Sequence, residues 1–177
     1  MSKVHFPYES DDYDRQKFGF GYSPDDIDVC MVCEGLPLET EWRKFTIEMR
    51  YGIFPDYLIT DLNIPLCSGK MKNIIARNCR NSSDIHWLPV DVRHGNSVVE
   101  YYILHIPHYI ADVIDLEKSD RDKDVIFSPH FRQELIEDKD IFASEDDTTT
   151  VYFSQRLKDT LEKENLSGLG FESWESS

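Results

Sequence analysis

Apolar and polar positions alternate most clearly from Phe45 to Arg50, where Phe45, Ile47 and Met49 interleave with Thr46, Glu48 and Arg50. Period two is the mark of a half-buried strand. Asp28 to Val32 reads as a second strand. Ile85 to Arg93 and Val98 to Ile106 read as two more, joined across His94-Gly95-Asn96, a hairpin signal, with Pro107 ending the second. The period changes at Ser68 to Arg77, where Met71, Ile74 and Ile75 follow a capping serine at helical spacing. Ser154 caps a second predicted helix, with Leu157 and Leu161 on one face, Lys158 and Glu162 on another, and Gly168 as its stop. Thr148 to Phe153 is β-branched and aromatic, hence a strand, and Leu169 to Trp174 predicts an edge strand. Ala111 to Asp124 reads as a short helix or extended segment, Phe131 to Ile136 as a helical turn, and Glu137 to Asp147 as an acidic stretch. Residues 1–26, with Glu9, Asp11, Asp12, Asp14 and the turn Gly19-Phe20-Gly21-Tyr22, predict an irregular, acidic N-terminal arm.

Strands and helices mix without regular alternation, so the expected class is α+β: antiparallel sheet elements with two capped helices packed on them. The 177 residues fit one domain. An internal echo accompanies the two helices. Ser68-Gly69-Lys70-Met71-Lys72-Asn73-Ile74-Ile75 resembles Ser154-Gln155-Arg156-Leu157-Lys158-Asp159-Thr160-Leu161. Each has a capping serine, a basic residue two later and an apolar residue three later, a strand-to-capped-helix unit used twice.

Charge narrows the partners. Asp and Glu number 34 against 19 Lys and Arg, giving a formal net charge of −15. Nucleic acid and anionic membrane both need cationic surface, so neither is an expected partner. Such a field attracts basic proteins and speeds their encounter, unless the acid serves solubility alone. No apolar run reaches the roughly 18 residues of a membrane span, and Met1 to Pro7 lacks a secretory apolar stretch, so the expected location is cytoplasmic.

Candidate chemistry is sparse. Cys30-Met31-Val32-Cys33 has zinc or redox spacing, but Cys67 and Cys79 stand too far apart to complete a zinc site, and Gly35 and Pro37 exclude the helix a redox pair needs. Four reduced cysteines, mostly buried, are expected. His105-Ile106-Pro107-His108 lies at a strand end and lacks the glutamate of the metalloprotease pattern. No phosphate-cradling loop or Gly-x-Ser-x-Gly elbow is present. Neither catalysis, cofactor nor metal is therefore expected. A small enzyme using His86, His105 or His108 is one alternative, and an adaptor for another cellular protein is a second. Trp87 reads as core and Trp174 as a cover over it, whereas Trp42, between Glu41 and Arg43, reads as an exposed anchor for a partner. The acidic contact candidates are Asp25, Asp26 and Asp28, then Glu137, Asp138 and Asp140, then Glu145, Asp146 and Asp147, since carboxylates accept bidentate bonds from arginine.

Several weak motifs occur in a telling order. Trp87-Leu88-Pro89-Val90, His94-Gly95, Tyr101 to Ile106 and Ala111 to Ser119 are followed by Val151-Tyr152-Phe153-Ser154, Leu157-Lys158 and Leu166 to Phe171. Over residues 64–174 this order resembles immunity proteins of bacterial polymorphic toxin systems, in the class numbered eleventh, formerly a family of unknown function. The resemblance implies a cytoplasmic protein that blocks a cognate toxin by direct binding, and the acidity suits a toxin with a basic or cationic-cleft surface.

Overall fold

The computed structural model describes residues 3–9, 15–24, 32, 38, 42–62, 64–123 and 125–175. In chain order the elements are β1 (Lys3–Glu9), a single turn α1 (Arg15–Phe18), β2 (Gly21–Tyr22), β3 (Thr46–Met49), β4 (Tyr57–Leu58), β5 (Leu66–Ser68), α2 (Gly69–Asn78), β6 (His86–His94), β7 (Ser97–His105), β8 (Asp120–Asp122), β9 (Val125–Ser128), β10 (Ile141–Ser144), β11 (Asp147–Ser154), α3 (Gln155–Lys163) and β12 (Leu169–Glu175). They build a four-stranded sheet in the order β10-β11-β1-β12, a six-stranded sheet in the order β2-β3-β6-β7-β5-β4, and a ribbon of β8 and β9. Between the named strands all described pairings are antiparallel except β3 with β6, while the isolated bridges Gly21–Thr60 and Ile110–Ser144 are parallel. The class is α+β.

The expected hairpin is present. β6 and β7 pair from His86↔His105 to His94↔Ser97, and Gly95, at φ +58°, takes the first central position of the turn, where only glycine is at ease. Both expected caps form as well. Ser68 Oγ accepts from Met71 N and Ser154 Oγ from Leu157 N, each at 3.2 Å. Met71 and Ile75 of α2 meet Leu157 and Leu161 of α3 in one core, together with Tyr57, Cys67, Ile141 and Phe153 from the strands. A second core lies on the six-stranded sheet under Val32, Leu38 and Trp42, and a third on the four-stranded sheet under Val113, Ile114, Phe131 and Ile136.

Four expectations need correction. The supposed irregular arm supplies β1, an inner strand pairing with β12 along its whole length and with β11 at Val4 and His5. Pro7 is tolerated because β11 has already left β1 there, so no ladder partner needs its missing N–H. Of the two readings of Ala111 to Asp124 the helix fails: Ala111 to Ser119 form turns and isolated bridges, and the run turns extended at Asp120 to Asp122. The acidic stretch conceals β10, whose four residues are all buried. Helix α3 ends not at Gly168 but at cap residue Glu164, followed by Asn165 at φ +49°, asparagine being one of the few residues that accept this left-handed position. The strand expected at Asp28 to Val32 lies outside the described residues apart from buried Val32.

The sequence echo is the trace of a structural repeat. β4-β5-α2-β6 with β7 corresponds to β10-β11-α3-β12 with β1, and the sheet orders β4-β5-β7-β6 and β10-β11-β1-β12 match strand for strand. Registers match too: Tyr57↔Cys67 and Leu58↔Leu66 in one half, Ile141↔Phe153 and Phe142↔Tyr152 in the other. The second half thus takes its last strand from the N-terminal end of the chain.

Candidate functional site

Among the described residues a densely bonded polar cluster grows out of this repeat. Each half opens with an aspartate, Asp56 before β4 and Asp140 before β10. Each aspartate accepts from the capping serine of its own half, Ser68 or Ser154, at 2.7 Å. Its carbonyl accepts the same serine's N–H, at 2.8 and 2.9 Å. Each also takes a backbone N–H from the loop after the other helix: Ser167 N to Asp56 at 3.0 Å, Arg80 N to Asp140 at 2.7 Å. The basic residue two past each cap reaches the end of the opposite helix, Lys70 Nζ to Glu164 O at 3.1 Å and Arg156 to Asn78 O. Serine and base recur in the sequence because this reciprocal lock needs both.

Asp140 therefore faces inward, against its expectation as a partner contact. It is wholly buried and also receives the guanidinium groups of Arg80, at 3.2 Å, and Arg156. Burial alone would raise its pKa, but Arg156, the Arg80 N–H and Ser154 outweigh that and hold it well below the usual carboxylate range. Trp42 is corrected as well. It is half-buried on the second core, tilts against Phe45, and donates its indole N–H to Pro89 O at 2.9 Å. Trp87 packs on the first core and Trp174 stacks on Phe6 at 4.5 Å over the third.

The remaining described acidic candidates lie at the two ends of β10. Glu137 and Asp138 are exposed before β10, while exposed Glu145 and Asp146 form the β10–β11 turn at that strand's other end, roughly 10 Å along. Asp147 is half-buried and accepts from Tyr152 Oη at 2.6 Å and Thr149 Oγ1 at 2.9 Å. Asp25, Asp26 and Asp28 lie outside the described residues, as do Cys30 and Cys33.

A feature that composition did not reveal is the β8–β9 ribbon. Val125 and Phe127 are 56% and 61% exposed on one of its faces, while Ile126 between them packs on the third core. The signal was the triplet Val125-Ile126-Phe127, a short β-forming run masked by the charge run before it. Cys67 and Cys79 are free and buried, and burial pushes their thiols up to about 12 and about 11, which makes them poor nucleophiles. His86 and His105 face each other across β6 and β7 with ring centres 6.2 Å apart, and His105 is buried. Among the described residues no three His, Cys, Asp or Glu side chains gather to hold a metal ion, and no helix is long and apolar enough to cross a membrane. A largely apolar cavity of about 420 Å³ lies between the two sheets, lined among others by Phe6, Tyr57, Met71, Ile103, Tyr109 and Phe153.

The sequence profile of the Immunity protein family (Imm11) matches residues 13–176. The chain belongs to that family. Curated proteins give no match. The profile reaches well upstream of residues 64–174, over the region of β2 and β3, so the strands that extend the six-stranded sheet fall within the family match. Membership of an immunity family implies a toxin as partner. Exposed among the described residues are the acidic turn at Glu145 and Asp146 and the acidic pair at Glu137 and Asp138, along with apolar side chains that include Ile53, Val98, Val125 and Phe127.

Proposed function

We propose that this protein neutralises a cognate bacterial toxin in the cytoplasm by binding it, without catalysis, through a surface in which exposed carboxylates meet a basic or cationic-cleft toxin. The observation that carries the reading is the family match across residues 13–176. The net charge of −15 supports the electrostatic part, because excess acid accelerates encounter with a basic protein. Glu137, Asp138, Glu145 and Asp146 are the described candidates that remain free to steer, and Asp25, Asp26 and Asp28 stay in the proposed set. Phe127 adds an aromatic anchor of the kind that dominates binding energy.

Co-expression tests it. The toxic domain encoded beside this protein is expressed with and without it, and survivors are counted. Rescue with a co-purifying complex is the expected result. Toxicity that persists in its presence refutes the reading. An association rate insensitive to ionic strength would remove the electrostatic part alone.

A further inference from the structure

The two halves repeat each other, but their outermost strands do not meet the same fate. In the six-stranded sheet β6 is covered on its outer edge: β3 pairs with Asp91 to Arg93, and Trp42 donates to the carbonyl of Pro89. Its counterpart β12 ends the four-stranded sheet. The two correspond residue for residue, since Val90 lies opposite Tyr101 as Trp174 lies opposite Val4, and Tyr101 and Val4 sit alike beside the capping serines. The other end of the four-stranded sheet is closed, because the segment at Ile110 exchanges backbone bonds with Ala143 and Glu145. Among the described residues nothing bonds to the outer edge of β12.

An open edge is a row of unpaired N–H and C=O groups, a template for one more strand. We infer that the outer edge of β12, over Leu169 to Trp174, accepts a strand from a basic protein, the toxin of the proposed function, on which this inference rests. Charge decides between that occupant and a second copy of the chain. The strand carries exposed Glu172 and ends at Glu175, on a molecule of net charge −15. Antiparallel pairing of two copies about Glu172 sets like charges opposite one another, which destabilises a ladder, whereas a strand bearing Lys or Arg gains from the same residues. Ile126 of the ribbon and Trp174 of β12 both pack on the third core.

The test is amide hydrogen exchange on the full chain, free and bound to the toxin domain. Alternate amides of β12 already bond to β1, and the outward ones should slow by at least about tenfold in the complex. Glu172→Lys, at an exposed position, should keep the melting temperature and lower the association rate several-fold. Glu172→Pro and Ser173→Pro form a pair in which one removes an outward N–H; that variant should fold and lose binding. A complex that rescues cells yet leaves every β12 amide unchanged overturns the inference and spares the immunity reading. A concentration-dependent dimer that protects the same amides overturns it in favour of a second copy. Absence of any complex removes both.

Discussion

Asp140 offers the sharpest test of the reciprocal lock. Its carboxylate is wholly buried and takes the Arg80 N–H, two guanidinium groups and the Ser154 hydroxyl. Removing one member of a buried pair costs about 3–5 kcal/mol, because the remaining charge is left without its partner. Here Arg80 and Arg156 are 48% and 47% exposed, so water absorbs part of that loss and the lower end applies. Asp140→Asn should therefore destabilise by about 3 kcal/mol, and in a chain of this length lower the melting temperature by about 6–12 °C. The equivalent Asp56→Asn, where Lys70 stands 4.0 Å away and is 51% exposed, should cost about 1–2 kcal/mol through its hydrogen bonds. Exposed Asp138→Asn should stay within about 0.5 kcal/mol. Urea titration of the four proteins decides. Asp140 is ionised in the fold far below the unfolded carboxylate pKa of about 3.9, so its contribution is complete above that value and fades as pH falls through the folded one. The gap between wild type and Asp140→Asn should hold from pH 7 to pH 5 and narrow below about pH 4. A loss at Asp140 no greater than at Asp138 refutes the lock.

His5 is buried between Ser173 Oγ and Gln155 Oε1, each 2.8 Å away, and burial lowers its pKa despite the Gln155 bond. The unfolded chain then takes up a proton the folded one refuses, so stability should fall as pH drops below about 6.5. Urea midpoints of wild type and His5→Gln measured from pH 7.5 to pH 5.5 check this; equal slopes refute it. Cys67 and Cys79 should resist a thiol reagent at pH 8 until urea unfolds the protein, and reaction of either in the native state contradicts their burial. Because α2 and α3 share one core and each half clamps the other, circular dichroism and tryptophan fluorescence should melt in one coincident transition, as for a single domain. Two separated transitions would mean that the halves fold independently.

The elements legible in the sequence were those whose signal is local. The hairpin announced itself through Gly95-Asn96, the helices through Ser68 and Ser154, and β3 through the alternation that buries Ile47 and Met49 beside exposed Glu48. What stayed hidden depends on pairing between distant residues. β1 contains a proline and a mixed composition, and only its neighbours opposite Val4, Ser154 at 150 and Trp174 at 170 positions away, make it an inner strand. Asp140 looked like one more surface acid because the guanidinium groups that bond it, those of Arg80 and Arg156, come from 60 and 16 positions away and only the fold brings them together. Trp42 misled for the same reason: its polar neighbours suggested exposure, but Pro89 receives its indole N–H. The echo between the two helices was the exception. It was a long-range fact visible locally, because both copies of the lock demand a capping serine and a basic residue two positions later.

The repeat also says where binding surfaces should be sought. Atoms that both halves use in the same way, such as the carboxylates of Asp56 and Asp140, are already bonded inward and have little left to offer a partner. The halves differ at their margins. The first carries β2, β3 and Trp42 on its outer strand; the second leaves β12 open and is preceded by the β8–β9 ribbon with exposed Val125 and Phe127. A formal charge of −15 thus overstates the acid available for contact, since some carboxylates hold the fold together. A scan limited to Phe127→Ala, Glu172→Lys and the pair Glu145→Lys with Asp146→Lys should weaken toxin binding more than Asp56→Asn does, once each variant's stability is subtracted. If Asp56→Asn weakens binding as much, the partner reads the shared frame, and asymmetry between the halves is no guide to the interface.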